Sequence, residues 1–159
     1  MCADATLHRE GERWFMFANQ AHPGADVNDE LCIFTSDRLL GDWEPHPRNP
    51  VKSDVRSARP AGRLFWNGSR LYRPGQIGAP HYGAGIALHR VTRLTRDEYV
   101  EVEESRIMPR SDAVLGLHTI NRAGDLSVTD AFFRRARFGA AQREMDSGIR
   151  RNDSVGAAA

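Results

Sequence analysis

A glycine-centred turn between strand-like runs occurs three times in this chain at nearly constant spacing. Gly11-Glu12-Arg13-Trp14-Phe15 lines up with Gly68-Ser69-Arg70-Leu71-Tyr72, 57 residues on, and Gly124 follows Gly68 by 56. Between the first two turns, Ile33 lines up with Ile86, Leu40 with Leu94 and Trp43 with Tyr99. Each unit reads as a hairpin, a strand, then a short segment ending in an outer strand. A repeat of about 50 residues built from about four strands is the pattern of a propeller blade. One such unit cannot bury both faces of its sheet, so it needs neighbours, and two and a half units cannot close a ring by themselves. The chain is therefore expected to be all-β, an incomplete propeller of about two and a half blades.

The individual strand signals agree. Residues 13–18 (RWFMFA) and 30–36 (ELCIFTS) are short apolar runs, residues 83–91 (GAGIALHRV) form another, and 98–105 (EYVEVEES) alternates as a half-exposed strand does. Residues 62–74 read as a hairpin with Asn67-Gly68 at the turn, because both residue types tolerate positive φ. Residues 118–130 repeat the form, with Ala123-Gly124-Asp125 at the turn. Residues 130–145 have the spacing of a helix with Phe132, Ala136 and Ala140 on one side. The propeller domain is expected over residues 1–137 and a short, partly disordered tail over 138–159, which lacks an apolar period.

Composition excludes several classes. The chain of 159 residues has 22 basic and 21 acidic side chains, so no overall charge argues for nucleic acid or an anionic membrane as partner. No run approaches the ~18 apolar residues of a membrane span, and the N-terminus lacks the apolar core of a signal peptide. Cys2 and Cys32 fit neither a disulfide framework nor a zinc pattern. Cys32, inside an apolar run, reads as a small core residue. These features give a cytoplasmic setting, no metal and no cofactor as expectations.

The stretch GDWEPHPRNPVKSDVRSARPAG (41–62) carries four prolines and little helical periodicity. Together with RP-x-Q (73–76), HYG (81–83) and HTIN (118–121), its HP-x-NPV (46–51) and ARPAG (58–62) segments form an ordered set of motifs. Over residues 6–131 this set resembles the C-terminal part of a five-bladed β-propeller family. That family is related to the family 43, 32 and 68 glycosidases and is similar to the N-terminal domain of glucosamine inositolphosphorylceramide transferase and its bacterial relatives. The resemblance implies that 41–62 is a crossing between blades. Trp43 would pack on a blade edge, Pro45, Pro47 and Pro50 would stand where no sheet partner needs a donor, and Arg59-Pro60-Ala61-Gly62 would open an innermost strand. Gly62 would be small where strands crowd near the axis. The resemblance also implies earlier blades that this sequence does not contain. A truncated product, or one clipped at its start, is therefore expected, with an exposed blade face offering an association surface and a bacterial setting.

Glycoside hydrolysis needs two carboxyl groups across the scissile bond, and no such pair stands out. Asp54 is the best channel-side carboxylate, against the plainer reading of a turn residue paired with Arg56 or Arg59. Glu101, Glu103 and Glu104 read as solvated surface, and Asp130 as a turn residue. Arg59 and Arg73 are the expected ligand anchors, since planar guanidinium forks suit carboxylates, phosphates and sugar hydroxyls. The alternative is that they tie blades together through carbonyls. Gln76, Tyr82 and His118, with His81, supply further polar groups at the same end, either for a sugar or as loop scaffolding. No Gly-rich phosphate loop, Ser-His-Asp arrangement or metal cluster appears. Two functions stand side by side: a carbohydrate-binding, glycosidase-like part of a glycan-processing or glycosyl-transfer enzyme, and a non-catalytic scaffold or remnant of one. No catalytic residue is assigned.

Overall fold

A computed structural model describes residues 2–134 except 22, 23, 25 and 27. Among the described residues there are thirteen strands and no helix. The fold class is all-β, as the hairpin repeat implies; the described strands do not close into a barrel or ring.

The first sheet has β1 (Cys2–Glu10), β2 (Arg13–Gln20), β3 (Glu30–Ser36) and β4 (Glu44–Pro45) in that order, and β5 (Lys52–Ser53) also pairs with β3. The second has β6 (Phe65–Asn67), β7 (Arg70–Ile77), β8 (Gly85–Leu94) and β9 (Tyr99–Ile107), again in chain order and antiparallel throughout. The third unit is smaller. β11 (Ile120–Ala123) pairs with β12 (Leu126–Thr129), while β10 (Val114–Gly116) pairs with β13 (Phe132–Phe133). β13 replaces the start of the helix expected over 130–145. Phe132 and Phe133 have a β-strand partner in reach, and aromatic residues favour a pleated surface. The rest of that segment and the 138–159 tail lie outside the described residues.

One turn chemistry makes the three hairpins. Each loop has two residues, Gly11-Glu12, Gly68-Ser69 and Gly124-Asp125, closed by the pairs Glu10↔Arg13, Asn67↔Arg70 and Ala123↔Leu126. The glycine stands first in each, with φ of 59°, 59° and 57°. Positive φ at the first loop position alone is the II′ pattern, whose twist matches that of the flanking strands. The turn at 67–70 is thus one residue further on than Asn67-Gly68: Asn67 is the last ladder residue and Ser69 the second turn residue.

The first two sheets pack face to face. Phe15, Phe17, Leu31 and Ile33 from one and Leu71, Val91 and Tyr99 from the other share a core with Ala58 and Leu64. Phe17 meets Tyr99 edge to face at 5.7 Å between ring centres. The other side of the second sheet packs Ile86, Leu88 and Ile107 against Ala61, Leu117, Val114 and Ile120. Cys32 is a buried free thiol in the first sheet.

The 41–62 stretch runs along β3 before it crosses between sheets. His46 N donates to Ile33 O at 2.9 Å and Val51 N to Leu31 O at 2.8 Å. The Asn49 amide stands in for a neighbouring strand, accepting from Ile33 N at 2.8 Å and donating to Ile33 O at 2.7 Å. Prolines are tolerated here because β4 is an edge strand. A turn capped by Asp54 follows, and Arg59 O then accepts from Gln76 N at 2.7 Å while Pro60 bridges Gly75.

All three units meet at Gly62. Its φ is 125°, and a Cβ built there would lie 2.1 Å from Ile120 O. Thr6 in β1 donates to Gly62 O at 3.4 Å, and Arg63 N donates to the Asn121 side chain at 3.0 Å. The crowding anticipated at this glycine is thus backbone against backbone, which no side chain can relieve.

Candidate functional site

Next to this junction lies a row of polar and aromatic side chains contributed by every unit. Arg59 leads it. Its Nε donates to Asp4 of β1 and its Nη1 to the Asn28 side chain, and its guanidinium carbon stands 5.1 Å from the centre of the Tyr82 ring. That is cation–π range, which favours arginine because its planar group can lie over a ring. Tyr82 is 51% exposed, and its ring centre is 5.0 Å from that of His118. Asn28, Val55, Arg59, Gln76, Gly78 and Tyr82 line one small cleft.

His118 is held from two sides. Asp130 Oδ1 accepts from His118 N at 2.9 Å and Thr119 N at 2.7 Å, and Asp130 Oδ2 lies 3.3 Å from His118 Nδ1. Burial would raise the Asp130 pKa, but the two backbone N–H groups outweigh it and hold the carboxyl below its usual value. An ionised carboxylate accepts only, so Nδ1 carries the proton in this hydrogen bond. Nε2 is buried without a hydrogen-bond partner and lies against Gly83, where a Cβ would be 2.4 Å away. Gly83 has φ of 72°, so glycine serves there twice. Phe132 packs edge-on against the same imidazole at 4.0 Å. Asp130, read from the sequence as a turn residue, instead ties its strand end to the backbone of residues 118 and 119 and orients His118.

The structure places the six candidates as follows. Arg59, Gln76 and Tyr82 share the cleft, and His118 extends it. Asp54 stands apart: its carboxylate accepts from Arg56 N at 3.0 Å and Arg56 Nε at 2.9 Å, and that partner lowers its pKa. This is the turn-and-ion-pair role weighed for it. Arg73 is elsewhere, wholly buried between the first two sheets. Arg59 stands across from Gln76, next to the Pro60–Gly75 bridge, so Arg73 lies three residues along β7 from its partner, and that odd offset turns the two guanidinium groups to opposite faces of the sheet.

Arg73 ties the sheets together, the alternative reading for it. Its Nε and Nη2 donate to the two Glu101 oxygens at 2.7 and 2.8 Å, and Nη2 also donates to Ser57 O at 2.9 Å. Tyr99 donates its hydroxyl to Glu101, and Lys52 of β5 donates to Glu101 at 2.8 Å. Lys52 Nζ is 3.0 Å from His89 Nε2. Burial would raise the Glu101 pKa, but Arg73 and the other cations hold it well below the usual carboxylate range. Burial would likewise lower Arg73, and Glu101 with Tyr99 keeps it above the ordinary arginine value. Burial pushes His89 down to about 4, with Arg73 and Lys52 acting in the same direction against Glu101 and Glu103.

Glu101 is thus not the solvated side chain that its polar surroundings in sequence imply. A signal was present: Glu101 follows Tyr99 by two residues in a strand, so both point to one face, and Tyr99 is buried. Glu103 and Glu104 do serve at the surface, pairing with Arg106 at 2.6 Å and, for Glu104, with Arg90. Asp4 and Asn28 carry no local signal, and only the packing of the units brings them to Arg59. Among the described residues no group of His, Cys, Asp and Glu is arranged to hold a metal ion, and no helix is long and apolar enough to cross a membrane.

Comparison with known proteins places this geometry in context. The family described as glucosamine inositolphosphorylceramide transferase 1, N-terminal, matches residues 1–128. Glucosamine inositolphosphorylceramide transferase 1 of Arabidopsis thaliana is 39% identical over 103 residues, which are 63% of this chain and 14% of that protein. Its namesake from Oryza sativa subsp. japonica is 38% identical over 102 residues, 62% of this chain and 14% of that protein. The chain therefore spans a small part of the length of these relatives. They are plant proteins, so the bacterial setting expected above is not supported. No solved structure matches.

Proposed function

The chain belongs to the family of glucosamine inositolphosphorylceramide transferase N-terminal domains, and from that premise we propose that it is a carbohydrate-binding part of a glycosyl-transfer protein. In this reading its hairpin units are consecutive blades of a five-bladed, glycosidase-like propeller. β1, the 59–67 segment and β11 are the innermost strands, and their meeting at Gly62 supports that arrangement. The observation that carries the functional reading is the row Arg59–Tyr82–His118. One half-exposed aromatic ring stands between a guanidinium and an oriented imidazole, at the point where three edge strands converge. A sugar presents an apolar face and a rim of hydroxyls. An aromatic ring beside fixed donors and acceptors answers both.

The same geometry favours binding over bond cleavage. Hydrolysis needs two carboxyls free to face one glycosidic bond. Asp4 is engaged by Arg59, and Asp130 by His118 and Thr119. We therefore assign the row a recognition role, with the sugar of the relatives' name, glucosamine, as one member of the ligand class.

Titration of the whole chain with glucose, glucosamine, glucuronate and glucose 6-phosphate, followed by amide chemical shifts, tests this. Shifts centred on residues 59, 76, 82 and 118 that vanish in Tyr82→Ala support the reading. No binding by any member of the panel leaves the scaffold alternative standing.

A further inference from the structure

We infer that the free edge of β12 takes a strand from a partner polypeptide: an extended segment adds to it antiparallel and lays alternate apolar side chains into the groove between the second sheet and the third unit. The first two units show what belongs at that place. β3 pairs with the far side of β2, and β8 with the far side of β7. β12 is the matching strand of the third unit, because its hairpin glycine follows the other two at the same spacing. Ser127 stands where Leu71 and Trp14 stand, and those face Val91 and Ser36. Thr129 stands where Arg73 and Met16 stand, and those face His89 and Phe34. Among the described residues the third hairpin sheet ends at β12. The pair Ala123↔Leu126 closes a two-residue loop and is hydrogen-bonded, and bonded pairs alternate along an antiparallel ladder. The N–H and C=O groups of Ser127 and Thr129 therefore point to the free edge.

Beside that edge lies a groove of about 350 Å³ lined by Phe65, Tyr72, Leu88, Ser105, Ile120 and Ser127. It continues the packed contact of Ile86 with Ala61 and Leu117, on which Leu88 and Ile120 already lie. Glu104 on its wall is engaged by Tyr72 at 2.6 Å and by Arg90, so the apolar floor selects the segment and not that carboxylate. The other outer strands are guarded. β4 carries Pro45, β9 carries Glu101, Glu103, Glu104 and Arg106, and β1 is bulged between Ala3 and Thr6. Proline, charge and bulges block edge pairing. β12, Leu126-Ser127-Val128-Thr129, has none of them, and all four residues are exposed. A second copy is the poorer occupant. Antiparallel pairing of β12 with the same strand of another copy puts both second sheets on one face of the joined sheet, where the groove has room for a strand alone. Strand addition by an extended peptide meets no such obstacle.

The probe is a fluorescein-labelled peptide with the sequence of residues 85–94, GIALHRVTRL, which is the strand that β7 pairs with. It is titrated into the whole chain, followed by anisotropy and by amide chemical shifts. In the register of the second unit its valine and histidine stand opposite Ser127 and Thr129, with their N–H groups toward β12. Shifts should centre on residues 126–129 and on 88 and 105. A scrambled peptide, and one N-methylated at that valine and histidine, should each bind roughly 10-fold more weakly or worse. Ser127→Pro removes an outward N–H and leaves the ladder to β11 whole, and Ser105→Arg fills the groove; each should weaken binding by about 10-fold with circular dichroism unchanged. Equal binding of the N-methylated or scrambled peptide would overturn the inference, whatever the variants do. So would absence of binding, or shifts centred elsewhere. Protection of the 127 and 129 amides from exchange that is present without peptide and lost on dilution would put a second copy on the edge and overturn the choice of occupant.

Discussion

Acidifying the medium from about pH 7.5 to about pH 4.5 should cost this fold roughly 2.5 kcal/mol through one side chain, His89. His89 lies almost fully buried between the first two sheets. Its Nε2 is 3.0 Å from the Lys52 ammonium, a group that only donates, so Nε2 must accept and Nδ1 must carry the proton. Nδ1 is buried without a partner. Protonating Nε2 would turn this hydrogen bond into a contact between two cations. Burial and those cations together lower the pKa from about 6.5 in the unfolded chain to about 4. At about 1.4 kcal/mol per unit, the full difference is ~3 kcal/mol, most of it expressed by about pH 4.5. The folded-state pKa is depressed, so this contribution is complete above about pH 6.5. It is lost as pH falls through 6.5 toward 4, where the unfolded chain binds the proton and the folded one does not. The assay is urea unfolding followed by tryptophan fluorescence at half-unit pH steps, in wild type and His89→Gln. His46, also lowered by burial, titrates with the same sign in both proteins, so the difference between the two curves isolates His89. Wild type should lose stability between pH 6.5 and 4.5 faster than the variant. Parallel curves across that window would refute the assignment of a neutral, buried His89.

Other perturbations have defined outcomes. Glu101→Gln leaves the Arg73 guanidinium, wholly buried, without its counter-charge and should destabilise the fold by ~3–5 kcal/mol in urea unfolding. The double variant Arg73→Met, Glu101→Leu should recover much of that loss. Gly62→Ala should prevent stable folding or lower the midpoint sharply, since its Cβ would sit 2.1 Å from a carbonyl oxygen. Gly68→Ala meets nothing within 4 Å and should cost only ~1 kcal/mol from its positive φ, a contrast readable in the same unfolding experiment. Leu126, Val128, Phe132 and Phe133 are all more than half exposed on the third unit. The chain should therefore self-associate with concentration in light scattering, and polar replacements at Val128 and Phe133 should reduce this.

The order of strands was legible along the chain because it rests on local chemistry. A glycine at the first loop position, with apolar alternation on either side, makes a hairpin whatever surrounds it, and this happened at Gly11, Gly68 and Gly124. The repeat spacing then required sheets that pack on one another, and Phe15, Phe17, Leu71 and Tyr99 do so. What tertiary structure alone decided was the partner of each charge. Arg59 and Arg73 look alike in sequence, flanking one hairpin, yet Arg59 lies over Tyr82 at a surface cleft while Arg73 is sealed between sheets on Glu101. The separation arises because Arg59 stands across from Gln76, three residues from Arg73, and an odd offset along a strand turns side chains to opposite faces of the sheet. Glu101 looked like surface because its neighbours in sequence are acidic; it is buried because the facing sheet supplies Lys52 and its own sheet supplies Arg73. Asp4 and Asn28 gave no local sign at all. Backbone preferences act over a few residues and can be read from them. The free energy of a buried charge depends on which opposite charge stands within about 3 Å, and that is known only once distant segments have been brought together.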